Sequence, residues 1–114
     1  MPTAARGEIW LVDFDPTRGH EQAGCRPALI ISDDRFNRSR AGLAFAIPLT
    51  TRKRGLPTHV PVSPPEGGVR VSSFVKCEDL RSISTERLVE GPWGVLSPRT
   101  LAAVEECVRL LLGL

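Results

Sequence analysis

The sequence predicts an α+β domain: a small, strongly bent antiparallel sheet or barrel, with one short helix and one closing helix. Three observations carry that reading. Short apolar runs rich in β-branched residues alternate with clusters of Gly, Pro, Asp and Ser, the pattern of strands joined by turns. Only the last segment, residues 97–112, keeps a helical period over several turns. The length of 114 residues, with 41% hydrophobic and 25% charged residues, suits one globular domain over residues 1–114 with a modest core.

The elements follow in order. Residues 8–14 (Glu-Ile-Trp-Leu-Val-Asp-Phe) read as a strand ending at Asp15-Pro16-Thr17. Residues 15–25 contain Pro16, Gly19 and Gly24 and form a loop. Arg26-Pro27 opens a buried strand through Ala28-Leu29-Ile30-Ile31-Ser32, with proline at a first position where a missing donor is tolerated. Asp33 to Asn37 makes one helical turn capped by Asp33 or Asp34. Leu43 to Leu49 is a third strand ending at Thr50-Thr51, and Arg52 to Gly55 a charged turn. His59-Val60-Pro61-Val62 is a short edge strand, and 63–68 a loop. Val69 to Cys77 and Leu80 to Ile83 read as two more strands, with a short one at Arg87-Leu88-Val89 before Gly91-Pro92. In the closing helix Ser97 is the N-cap, Pro98 the first helical position and Gly113 the stop. Leu101, Val104, Val108 and Leu111, with Cys107 and Leu112, form its apolar stripe.

Composition excludes several classes. No apolar run reaches the roughly 20 residues that a bilayer requires, so no membrane association is expected. The start Met1-Pro2-Thr3-Ala4-Ala5-Arg6 has no apolar core behind it, so the expected location is the cytoplasm. Cys25, Cys77 and Cys107 are odd in number and widely spaced, which is neither a disulfide framework nor a zinc site. Cys25 lies near His20 in sequence, but nothing else marks a Cys/His pair. There is no phosphate-binding glycine loop, nucleophile elbow or zinc-protease motif. His20 and His59 have no ligand spacing with the carboxylates, so no metal is expected.

The net charge of +2 hides an asymmetry. Residues 18–54 hold eight basic residues against Glu21, Asp33 and Asp34, a net of +5, while the rest of the chain carries −3. A basic half on a near-neutral protein suggests one face made for a polyanion. Polar groups gather where strands end: Glu21, Gln22 and Arg26 by the first long loop, Thr50 and Thr51 after the third strand, Ser72 and Ser73 in a later one. Loops anchored by rigid strands are common sites of binding and catalysis. Each such group also has a structural use: Glu21 can pair with Arg26, Thr50 can cap a turn, and Ser73 can bond to backbone.

The stretch Arg6-Gly7-Glu8-Ile9-Trp10-Leu11-Val12-Asp13-Phe14-Asp15-Pro16-Thr17, followed by Gly19-His20-Glu21-Gln22-Ala23-Gly24-Cys25-Arg26-Pro27-Ala28-Leu29-Ile30-Ile31-Ser32, closely resembles the opening of the MazF/PemK toxins, also called mRNA interferases. The resemblance continues at Ile47 to Thr51, at Leu56 to Val60 and at Leu80 to Ile83. It implies an SH3-like barrel with appended helices, a homodimer, no cofactor, and cleavage of single-stranded RNA that leaves 2′,3′-cyclic phosphate and 5′-hydroxyl ends. By position it makes Arg26 and Thr50 the catalytic pair and Glu21 a further active-site residue. The RNA contacts expected around them are Arg18, His20, Gln22, Thr51, Arg52, Lys53, Arg54, Ser73 and Asp79. The expected substrate is messenger RNA, with ribosomal or transfer RNA as further candidates. A cognate antitoxin with an acidic, partly disordered segment would block the site, and DNA would be met only through the toxin–antitoxin complex.

Two positions depart from the pattern. His20 stands where the family often carries Ser, and Asp79 where many relatives carry Gln; a carboxylate there would alter base preference or repel phosphate. Of the aromatics, Phe36 in the arginine-rich stretch is the expected stacking residue. A gyrase poison like CcdB, and a nucleic-acid-binding module without catalysis, are the rival functions. The intact E-Q-x-G-x-R-P element argues against the first, whereas composition alone accommodates the second.

Overall fold

The computed structural model describes residues 3–15 and 24–114. Its strands are β1 (Glu8–Asp13), β2 (Cys25–Ile30), β3 (Leu43–Thr50), β4 (His59–Val62), β5 (Ser73–Lys76), β6 (Arg81–Ser84) and β7 (Leu88–Val95). Helix α1 (Asp34–Asn37) follows β2 and α2 (Pro98–Leu112) ends the chain. All pairings are antiparallel, in the order β4-β5-β3-β2-β1-β7, with β6 also on β3. The expected bent antiparallel sheet is present. Its order ends at β4 and β7 without closing, so "barrel" describes it only loosely.

The bend is made in β3. Its first half, Leu43 to Ala46, pairs with β6, and its last two residues, Leu49 and Thr50, pair with β5. Pro48, which has no amide proton to give a ladder, falls between these two stretches. Strand alternation sends Ile9, Leu29, Ile47 and Leu49 to one core cluster and Trp10, Ala28, Ile30 and Ala46 to the other. Both faces of the central strands are therefore buried, which is why their sequences read as continuous apolar runs. The first face is covered by α2 through Val104, with Leu101, Cys107 and Val108 packed alongside. Each fully buried aliphatic side chain here contributes about 1.5–3 kcal/mol.

Four expectations are corrected. The strand expected from Val69 to Cys77 is only Ser73–Lys76, because a 3-10 turn at Glu66–Gly68 with glycines at φ 63° and 79° redirects the chain first. Ser72 thus lies outside the strand. A second such turn, Cys77–Asp79, precedes β6. The short strand expected at 87–89 is the eight-residue β7, which runs through Gly91-Pro92; at the sheet edge a proline removes no needed donor. Finally, the helix stripe leaves the sheet before its end. Ser97 caps Thr100 N at 3.2 Å and Gly113 closes the helix at φ 72° as expected, but Leu111 and Leu112 are exposed.

Candidate nucleic-acid groove

Residues 16–23, which carry most of the motif and most of the expected loop, lie outside the described residues, and with them Arg18, His20, Glu21 and Gln22. Its two flanks are held together. Phe14 N donates to Gly24 O at 3.0 Å, and the Arg87 guanidinium donates to the carbonyls of Asp13 and Asp15 at 3.0 and 2.8 Å. Gly24 is required by close approach: a Cβ there would stand 2.6 Å from Asp15 Cβ. The strand that follows is thereby positioned to present Arg26.

Arg26 and Thr50 come together across β2 and β3. The register pairs Ala28 with Pro48, Leu29 with Ile47 and Ile30 with Ala46; carried two residues further it faces Arg26 with Thr50. Both line a recess of about 330 Å³ with Pro27, Leu49, Thr51 and Ser73. Arg26 is exposed and has no side-chain partner among the described residues. Thr50 Oγ1 accepts from Arg52 N at 3.1 Å, which leaves its own hydroxyl proton to give. Ser73, buried at the start of β5, donates its hydroxyl to Val71 O at 2.9 Å, so it offers the recess only lone pairs. A guanidinium beside a hydroxyl donor suits a phosphate, because the planar fork binds two oxygens at once.

A second, larger recess of about 710 Å³ adjoins the first and shares Pro27, Thr51 and Ser73 with it. Its other walls include Arg70, Val71, Glu90 and Trp93. None of these was singled out by sequence reasoning. The signal that could have found Trp93 is its place in Gly91-Pro92-Trp93-Gly94, an aromatic set among turn-forming residues.

The other expected contacts are scattered. Thr51, Arg52, Lys53 and Arg54 are exposed just beyond the end of β3. Asp79 is not in either recess; it pairs with Lys76 at 3.3 Å and Arg81 at 3.8 Å. Phe36 packs on Phe45 with ring centroids 5.6 Å apart, beside the opposite end of β3. Cys25 is half-buried on β2. His59 is buried, with Nε2 3.0 Å from Glu78 Oε2. Burial pushes the Glu78 carboxyl up, but hydrogen bonds from His59 and Thr58 outweigh it and leave the group below its ordinary value.

Comparison with known proteins adds to this geometry. A family model described as "PemK-like, MazF-like toxin of type II toxin-antitoxin system" matches residues 5–112. The chain is 40% identical over 114 residues to endoribonuclease MazF9 of Mycobacterium tuberculosis, covering 96% of both. It is 33% identical over 108 residues to the endoribonuclease toxin MazF of Escherichia coli K12, covering 94% of this chain and 92% of that protein. Among solved structures, the MazE-MazF crystal form II of Deinococcus radiodurans superposes with a TM-score of 0.85 at 29% identity, over 100% of this chain and 99% of the other.

Proposed function

The chain belongs to the PemK-like, MazF-like toxin family, and on that premise we propose that it is an endoribonuclease toxin that cuts single-stranded RNA at short sequences without a metal ion. The observation that carries this reading is Arg26 and Thr50 lining one recess at adjacent strand ends. In the proposed reaction the ribose 2′-oxygen attacks the adjacent phosphorus. The 2′-O–P bond forms, the P–O5′ bond breaks, and a proton reaches the departing 5′-oxygen. The products are a 2′,3′-cyclic phosphate and a 5′-hydroxyl.

The roles follow from chemistry. Charge develops on the non-bridging oxygens in the transition state, and fixed donors aimed there contribute about 3–4 kcal/mol each in known cases. Arg26 supplies the guanidinium and Thr50 a hydroxyl. A guanidinium presents donors and no acceptor, so Arg26 acts as stabiliser and donor to the leaving oxygen. Glu21 either takes the 2′-hydroxyl proton or orients Arg26. A pH–rate profile of Glu21→Gln separates these roles, because only the first removes the acid limb. His20 is assigned a phosphate contact, and its replacement by Ala leaves that profile unchanged.

Arg18, Gln22, Thr51 and the run Arg52-Lys53-Arg54 extend the site along the RNA backbone. Asp79, held by Lys76 and Arg81, acts on base preference from outside the recess, through a neighbouring segment of RNA. A homodimer and a cognate antitoxin complete the proposal, supported by the similarity to a MazE-MazF complex. An acidic antitoxin segment would compete with RNA for the same cations.

The test mixes purified protein with a long single-stranded RNA in EDTA. Discrete fragments with cyclic phosphate ends, lost in Arg26→Ala, are expected. Intact RNA alongside gyrase trapped on supercoiled DNA would overturn the proposal in favour of a gyrase poison. RNA that is bound but never cut would overturn it in favour of a non-catalytic module.

A further inference from the structure

The larger recess is built around one aromatic ring. Along β1 and β7, Ile9 pairs with Gly94 and Leu11 with Glu90. Between these pairs the single residue Trp10 of β1 faces the three residues Gly91-Pro92-Trp93 of β7, and the extra length bulges out. Bulges redirect side chains and are common beside functional sites. The bulge is backed tightly. A Cβ on Gly91 would come 2.6 Å from the Trp10 ring, and one on Gly68 would come 2.3 Å from Trp93 O. The Trp93 indole donates Nε1 to Glu90 Oε1 at 2.8 Å, which orients the ring. Its inner side packs against the main core while it also lines the recess. Arg70, exposed on the same recess, has no side-chain partner among the described residues.

We propose that Trp93 is the stacking platform for one unpaired nucleobase of the bound RNA, with Arg70 holding the phosphate next to it. A fixed indole face and a guanidinium without a partner among the described residues make the combination that single-stranded nucleic acid demands: a π-face for the base and a cation for the backbone. The shared wall of Pro27, Thr51 and Ser73 makes this recess continuous with the Arg26–Thr50 recess, so a strand cut at the first lays a neighbouring base in the second. Trp93 thereby contributes to the choice of cleavage sequence. This role rests on the protein being a nuclease.

The experiment uses the full chain as wild type and as Trp93→Ala, Trp93→Phe and Arg70→Ala. Each variant's fold is checked by circular dichroism. A long single-stranded RNA is digested and the fragment 5′ ends are sequenced. Trp93→Ala is expected to cut about 10-fold or more slowly at wild-type sites, and to lose base preference at one position flanking the cut. Trp93→Phe recovers most of the rate and of the preference lost in Trp93→Ala, since a ring remains even without the bond to Glu90. Arg70→Ala keeps base preference but lowers the salt dependence of binding by about 0.7 in log–log slope, the share of one phosphate.

Binding is read separately. A DNA copy of the cut segment, lacking the 2′-hydroxyl, should quench tryptophan fluorescence in wild type but not in Trp93→Phe, because Trp10 is buried. Unchanged rate and preference in Trp93→Ala, or no quenching in wild type, would overturn the stacking role. If wild type cuts no RNA, the nuclease reading itself fails; if it cuts and Trp93→Ala cuts identically, only the stacking role fails.

Discussion

Where β3 begins, Arg35, Arg38 and Arg40 are exposed on and after α1, next to the packed rings of Phe36 and Phe45. Where β3 ends, Thr50 meets Arg26, and Arg52, Lys53 and Arg54 follow. An eight-residue strand separates the two ends, a distance of about 23 Å. In the sequence these arginines form one basic stretch; in the fold they are two. The first set is partly used up. Asp33, the α1 cap, accepts from Arg35 N at 2.8 Å and pairs with its side chain at 3.3 Å, and the two phenyl rings pack on each other at a 39° tilt. The second set has a guanidinium with no side-chain partner among the described residues, a hydroxyl donor and, in the adjoining recess, a tryptophan. Charge density alone does not locate a nucleic-acid site; concavity and free donors do.

The largest effect expected from this difference is on cleavage. Arg26→Ala should lower the rate on single-stranded RNA by about 10²–10³-fold, the usual cost of removing one preorganised donor, whereas Arg38→Ala should stay within about twofold. Thr50→Ser should retain most activity and Thr50→Val lose it, since only the hydroxyl is used. Single-turnover kinetics checks all four variants, and a comparable loss in Arg38→Ala would erase the distinction between the ends of β3.

Salt dependence sharpens the same comparison with a smaller effect. Replacing Arg52, Lys53 and Arg54 by Ala should reduce the slope of log affinity against log salt by about 0.7 for each phosphate that is no longer neutralised. The matching triple change at Arg35, Arg38 and Arg40 should leave the slope unaltered. Equal reductions in both triples would mean that RNA tracks the whole length of β3.

How much of this was legible beforehand depended on whether a residue's role is local. Strands β1 to β4 and β6, the Asp33 and Ser97 caps and the Gly113 stop were readable because turn chemistry and periodicity act over a few residues. The resemblance named Arg26 and Thr50, and the antiparallel register explains why residues 24 apart in sequence share a recess. The β7 bulge was not readable. It exists because Gly91 fits against Trp10 and Gly68 against Trp93, contacts between segments distant in sequence. For the same reason Phe36 was preferred over Trp93 as the stacking residue: only the fold shows that Phe36 is engaged by Phe45. The exposed Leu111 and Leu112 mislead similarly, since a helical stripe does not reveal where the sheet beneath it stops.

Acid should loosen the sheet margin beyond the end of β3. Glu78 accepts from Thr58 Oγ1 at 2.8 Å and lies 3.0 Å from His59 Nε2, tying β4 to the turn before β6. Its carboxyl sits below the ordinary value of 4.5. A depressed carboxylate contributes stability that is fully present above that value and is lost as pH falls through the folded pKa. Urea unfolding at pH 7 should therefore show Glu78→Gln less stable than wild type, with the gap narrowing below about pH 4.5. A gap that widens in acid would reverse the assignment.

The smallest effect concerns the support of the groove rather than its contacts. Glu66 Oε2 accepts from both N and Oγ of Ser97 at 2.9 Å, joining the start of α2 to the turn whose Gly68 backs Trp93. Ser97→Ala removes the hydroxyl bond and the cap on Thr100, and should cost about 1 kcal/mol in thermal or urea unfolding. The Arg26–Thr50 recess is anchored by β2, β3 and β5 and does not use this latch, so the cleavage rate should hold. Base preference at the position assigned to Trp93 should relax slightly, because its backing turn is less firmly held. A loss of rate without a loss of preference would show that α2 supports the Arg26 end instead, and would place the two recesses on one rigid unit.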